Sequence, residues 1–127
     1  MTTAVKNTHT RGLLKIHETH DGSHVILEWE GKSVDKNPGD FLNPILARIA
    51  EYPDLKKIEV DLTQLQQMNS STMPSLIIFM KNLERNSVAA DFIYSPDSEW
   101  QRISLQMLAN LAKIIPGIKV FPGNRAV

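Results

Sequence analysis

The sequence predicts an α/β domain with a mixed, largely parallel sheet, and three features predict it. From residue 40 onward, helix-period stretches alternate with short apolar runs, the pattern of strands joined by crossover helices. Before that, Asp21-Gly22 marks a turn between two alternating segments, so the chain opens on a hairpin. The whole is 127 residues with 42% hydrophobic and 22% charged content, which is one ordinary globular domain able to bury its own core.

The elements follow in order. Residues 1–11 are rich in Thr, Asn and Lys and read as a flexible tail, with the domain proper spanning 12–127. Leu13, Leu14 and Ile16 open the first strand, and His24 to Glu30 returns with Val25, Leu27 and Trp29 on one face. Asn37-Pro38-Gly39 punctuates a loop, and Asp40 is placed to cap a helix carrying Phe41, Ile45, Leu46 and Ile49. Lys57 to Leu62 alternates as a strand. A helix with apolar residues on most sides, Met73 to Leu83, then points to burial. Ala89 to Tyr94 reads as a strand. Asp97 or Ser98 caps the next helix, whose stripe is Trp100, Ile103, Met107, Leu108, Leu111 and Ile115. Pro116-Gly117 ends it, and Ile118 to Phe121 is the last strand. The expected order is β-β-α-β-α-β-α-β, with three or four helices.

Composition narrows the function. Fourteen Lys and Arg balance fourteen Asp and Glu, which argues against a general nucleic-acid binder, since phosphate neutralisation needs a basic surplus. With no cysteine there is no disulfide, thiolate metal site or cysteine nucleophile. The polar N-terminus is not a signal peptide, and no apolar run is long enough to span a bilayer, so a cytoplasmic location is expected, without membrane contact. No phosphate-cradling glycine loop is present, and no cofactor is expected. His9, His17, His20 and His24 are read as surface residues, because no carboxylate motif stands at ligand spacing; no metal site is expected. A serine hydrolase would need a base beside its serine, yet every histidine lies in the first 24 residues and there is no Gly-x-Ser-x-Gly elbow.

The informative stretch is the junction ahead of the second helix, Met68-Asn69-Ser70-Ser71-Thr72-Met73-Pro74. Four short polar residues stand between an apolar strand and a buried helix. Pro74 belongs in a first helical turn, so Ser71 or Thr72 should cap, leaving Ser70 just outside with its hydroxyl accessible.

Asp61-Leu62 followed by this segment resembles the signature of STAS domains, the family of bacterial anti-sigma-factor antagonists. There an apolar residue, Asp, Ser, Ser or Thr, Gly and Leu head a helix after a strand that opens with Asp-Leu. The resemblance covers roughly residues 13 to 121. It implies a non-enzymatic signal-transduction phosphoprotein in a partner-switching pathway. Ser70, matching the first Ser of the motif, would be the residue phosphorylated by an anti-sigma-factor-like serine kinase and restored by a PP2C-like phosphatase; Ser71 is the second choice. Met68, Asn69, Ser70, Ser71, Thr72 and Met73 would form the partner-binding surface. Two positions depart from the pattern: Asn69 stands for Asp and Thr72 for Gly. The segment also resembles that of SiaC-like regulatory phosphoproteins, whose modified residue is a Thr at the position of Ser70. The alternative within the same fold is a constitutive scaffold or ligand-binding subunit that is never phosphorylated.

Overall fold

The computed structural model describes residues 5–123. The order is β1 (Val5–Arg11), β2 (Leu14–Asp21), β3 (His24–Ser33), α1 (Gly39–Ala50), β4 (Lys57–Met68), a 3-10 turn (Ser70–Thr72), α2 (Met73–Arg85), β5 (Ala89–Tyr94), α3 (Glu99–Ala112) and β6 (Ile118–Pro122). The strands form one six-stranded sheet in sequence order. β1, β2 and β3 pair antiparallel, and β3 through β6 pair parallel. The α/β class, the opening hairpin and the largely parallel sheet are those the sequence predicts, with one strand more.

That strand corrects the reading of residues 1–11 as a flexible tail. Val5 to Arg11 pairs residue for residue with β2, from Val5 opposite His20 to Arg11 opposite Leu14. All its side chains except His9 are exposed, so it has no apolar period to detect. Its backbone ladder holds it, and a ladder leaves no trace in composition. Residues 1–4 lie outside the described residues.

Burial is one-sided on the hairpin strands. Val25, Leu27 and Trp29 of β3 are fully buried, while His24 and Glu28 are exposed. Ile58, Val60 and Leu62 of β4 and Ala90 and Phe92 of β5 continue the same core. Phe79 of α2 meets Phe92 edge-on with ring centroids 6.3 Å apart, a geometry worth about 0.5–1.5 kcal/mol beyond area burial. Leu42, Leu46 and Ile49 bring α1 onto this core, where it packs against α2.

Two helix details differ from expectation. Pro38, not Asp40, occupies the N-cap of α1, and its carbonyl accepts from the N–H of Leu42 at 2.9 Å. Asp40 falls inside the first turn, where its charge still suits the helix dipole. In α3, capped by Ser98, the buried stripe is Gln101, Leu105, Leu108 and Ala112. Ile103 and Met107, expected inside, are 66% and 59% exposed. Gln101 sets this rotation. Its Nε2 donates to the carbonyls of Leu62 and Leu65 at 2.7 and 2.8 Å, and its Oε1 accepts from the N–H of Ser95 at 2.7 Å. β4 parts from β5 after Asp61, so the carbonyls beyond it lack a strand partner on that side. Gln101 takes that place, because buried backbone acceptors need donors.

Candidate functional site

The candidate site is the passage from β4 into α2. β4 runs further than the Lys57 to Leu62 read from sequence, pairing with β3 as far as Met68 opposite Ser33. Where it leaves β5, the buried Asp61 accepts from the N–H and hydroxyl of Thr63 at 2.9 and 2.7 Å. Thr63 therefore turns along a fixed path and the register against β3 shifts there.

Asn69 follows in extended conformation and uses every polar group it has. Its N–H donates to the Ser33 carbonyl at 2.9 Å and its side-chain Nδ2 donates to the Asp35 carbonyl at 2.7 Å. Its Oδ1 accepts from the Thr72 hydroxyl at 2.8 Å, and its own carbonyl accepts from the Thr72 N–H at 3.1 Å. Thr72 Oγ1 also lies 2.7 Å from Ser33 Oγ. A hydroxyl carries one proton, and that of Thr72 goes to Asn69, so Ser33 is the donor.

This network explains both departures from the STAS pattern. An Asp at position 69 would turn a carboxylate oxygen toward the Asp35 carbonyl, where an amide donor is needed. A Gly at position 72 would leave Ser33 and Asn69 without their shared hydroxyl.

The residues between these anchors are presented outward. Ser70 and Ser71 are exposed in the 3-10 turn, and neither hydroxyl has a hydrogen-bond partner among the described residues. Thr72 takes the N-cap position of α2 and Pro74 its first turn, as the sequence requires. Ser70 thus sits in a short 3-10 turn ahead of α2 rather than in open loop. The two serines face different surroundings. Ser70 borders an apolar groove of about 520 Å³ shared with Met68, Met73, Pro74, Ile77, Ile103 and Met107. Ser71 lies beside Lys36, Asp40 and Asn43 near the start of α1.

Of the six residues expected to form one surface, Thr72 is corrected to an internal role. It is fully buried and facing Ser33, so it supports the segment rather than meeting a partner. Met73 is 9% exposed and shows only an edge to the groove. Ile103 and Met107 are among the groove residues that sequence reasoning missed. Their apolar character placed them in the core, and only the rotation fixed by Gln101 turns them out.

The histidines form a separate cluster. Glu18, fully buried on β2, accepts from His9 Nε2 at 2.7 Å, from His20 Nε2 and from Arg48 of α1 at 3.1 Å. Burial raises the Glu18 pKa, but the hydrogen bonds from His20 and His9 and the charge of Arg48 outweigh it and hold the carboxyl below its ordinary range. His20 is buried and its ring lies 4.5 Å from that of Tyr52. The reading of His9 and His20 as surface residues is therefore corrected: they tie the hairpin to α1. His17 bonds Glu30 at 3.0 Å in a more exposed position. No histidine hydrogen-bonds Ser70 among the described residues, so the geometry of a serine-hydrolase base is not formed there. No group of three His, Cys, Asp or Glu among the described residues is arranged to hold a metal ion. No helix of the described residues is long and apolar enough to cross a membrane.

No family model and no curated protein sequence matches the chain. Solved structures do. The anti-sigma factor antagonist SpoIIAA in its unphosphorylated form superposes with a TM-score of 0.59 over 96% of this chain and 90% of its own, at 11% identity. An anti-sigma factor antagonist from Mycobacterium paratuberculosis superposes with a TM-score of 0.58 over 95% of this chain and 87% of its own, at 14% identity. At such identities the likeness is one of fold: the chain has the STAS-type fold of the anti-sigma-factor antagonists.

Proposed function

We propose that this protein is a non-enzymatic partner-switching regulator controlled by phosphorylation of Ser70. It binds a serine kinase of the anti-sigma-factor type when Ser70 is free, releases it when Ser70 is phosphorylated, and is reset by a PP2C-like phosphatase. The observation that carries this reading is the position of the Ser70 hydroxyl, exposed and unpartnered on the lip of an apolar groove at the head of α2.

Phosphate there adds about 1.5–2 negative charges at neutral pH. The domain tolerates them, because Ser70 is exposed to solvent and stands at the positive end of the α2 helix dipole. A partner packed into the groove does not, since its apolar contacts would have to dehydrate the dianion. Binding is then lost while the fold persists. Met68 and Met107 supply adaptable apolar contacts around the site. Asn69 is accounted for by its bonds to Ser33, Asp35 and Thr72, without appeal to a lost phosphosite.

The test is mass spectrometry of the protein purified from its native cells under several growth conditions. A phosphate on the Asn69 to Thr72 peptide, absent in Ser70→Ala, is the expected result. Ser70→Glu should keep the melting temperature and fail to retain the kinase. An unmodified mass under every condition overturns the switch in favour of a constitutive scaffold. A phosphate that persists in Ser70→Ala moves the site to Ser71.

A further inference from the structure

We propose that the protein carries a second binding site, for a small amphiphilic carboxylate, in the cavity between the β1–β2 turn and the start of α1. The cavity measures about 430 Å³, within the roughly 300–1,000 Å³ of small-molecule sites. Its walls are apolar: Leu13 and Leu14 from the turn and β2, Val34 from the loop after β3, and Pro38 and Phe41 from α1. Leu13 and Val34 stay 65% and 41% exposed, an arrangement that costs hydration unless something covers them.

Gly31 lets the turn pack closely against β3. Its φ is +86°, and a Cβ there would stand 1.9 Å from the Leu13 carbonyl oxygen, which instead accepts the Lys32 N–H at 3.1 Å. The Leu13 backbone is thereby fixed at the edge of β3, beside the cavity.

Charge selects the ligand. Two cations line the cavity, Arg11 and Lys32. Arg11 is neutralised by Asp35 at 2.8 Å. Lys32 is half-buried and has no anionic partner among the described residues. An unpaired ammonium beside apolar walls favours an occupant with one negative head and an apolar body. Inorganic phosphate would leave the walls bare, and a neutral lipid would leave Lys32 unpaired.

Occupancy would also reach the Ser70 segment. The Ser33 to Asp35 stretch that edges the cavity is the one to which Asn69 and Thr72 are hydrogen-bonded. The site itself rests on the cavity and Lys32, independently of Ser70 phosphorylation.

The experiment is an NMR titration of the ¹⁵N-labelled full chain with sodium decanoate below its micelle concentration. Saturable shifts are expected first at the amides of Arg11 to Leu14 and Lys32 to Asp35, and then at Asn69 to Thr72. Lys32→Gln should weaken decanoate about tenfold or more, as loss of one charge-assisted bond implies. Lys32→Arg should retain binding, Ser70→Ala should bind like the unmodified chain, and decanol should bind more weakly than decanoate. The proposal is overturned by unsaturable shifts, by equal affinity of Lys32→Gln, or by shifts confined to the groove beside Ser70.

Discussion

Asn69→Asp gives the Ser70 segment the residue that the STAS pattern carries, and the structure says that it should be destabilising. The change removes the Nδ2 donor that reaches the Asp35 carbonyl at 2.7 Å and sets a carboxylate oxygen against that carbonyl. Loss of a hydrogen bond of this kind, with the acceptor left partly buried, costs about 1–3 kcal/mol. Two effects oppose the loss. An Asp oxygen can still accept from the Thr72 hydroxyl, so that bond survives. A negative charge near the start of α2 also gains about 0.3–1 kcal/mol from the helix dipole. The donor loss wins, and the net cost should be about 1.5 kcal/mol, or about 6 °C in Tm for a chain of this size. The pH dependence separates this cause from others. The protonated Asp could donate to the Asp35 carbonyl again, so the folded state raises its pKa above the unfolded value of about 3.9. The contribution of that bond is then fully present below the unfolded pKa and is lost as pH rises through the folded one. In urea unfolding, the deficit of Asn69→Asp against the unmodified chain should be full at pH 7 and shrink toward pH 3.5. Equal midpoints at pH 7, or a deficit independent of pH, would refute the role given to Asn69.

Two further perturbations test the scaffold around the site. Gln101→Leu leaves the carbonyls of Leu62 and Leu65 and the N–H of Ser95 without partners. It should cost about 3–5 kcal/mol in urea unfolding, given about 1–3 kcal/mol for each orphaned group and partial relaxation; a change under about 1 kcal/mol would contradict the role of Gln101 in seating α3. Glu18→Gln removes a carboxylate whose folded pKa is depressed. Such a group stabilises above its unfolded pKa, and the benefit is lost as pH falls through the folded one. The variant should therefore unfold at lower urea than the unmodified chain at pH 7, with the two midpoints converging in acid; a gap that persists unchanged in acid would rule out the charged cluster as its source.

Helix starts, turns and one-sided strands are local events, and the residues that make them stand next to one another in the chain. Asp21-Gly22, the alternation of Val25, Leu27 and Trp29, and Pro74 early in its helix each state their structure through backbone sterics and period. The same locality marked Ser70 and Ser71, since Pro74 fixes where α2 begins and sets the polar run at its head. What the sequence determined by itself was the α/β class, the order of its strands and helices from the hairpin onward, and the segment that presents two serines.

Tertiary structure decided the rest, because the deciding partners are far apart in sequence. β1 is a strand only because β2 offers it a ladder. Glu18 is buried because His9, His20 and Arg48 converge on it from two strands and a helix. Asn69 reads as a departure until Asp35, 34 residues earlier, shows which donor it supplies. Ile103 and Met107 satisfy a helical stripe on paper, yet Gln101 bonds to carbonyls 36 and 39 residues away and turns them outward beside Ser70. An apolar period shows that a helix has a face, and the hydrogen bonds made across the fold determine which way that face points.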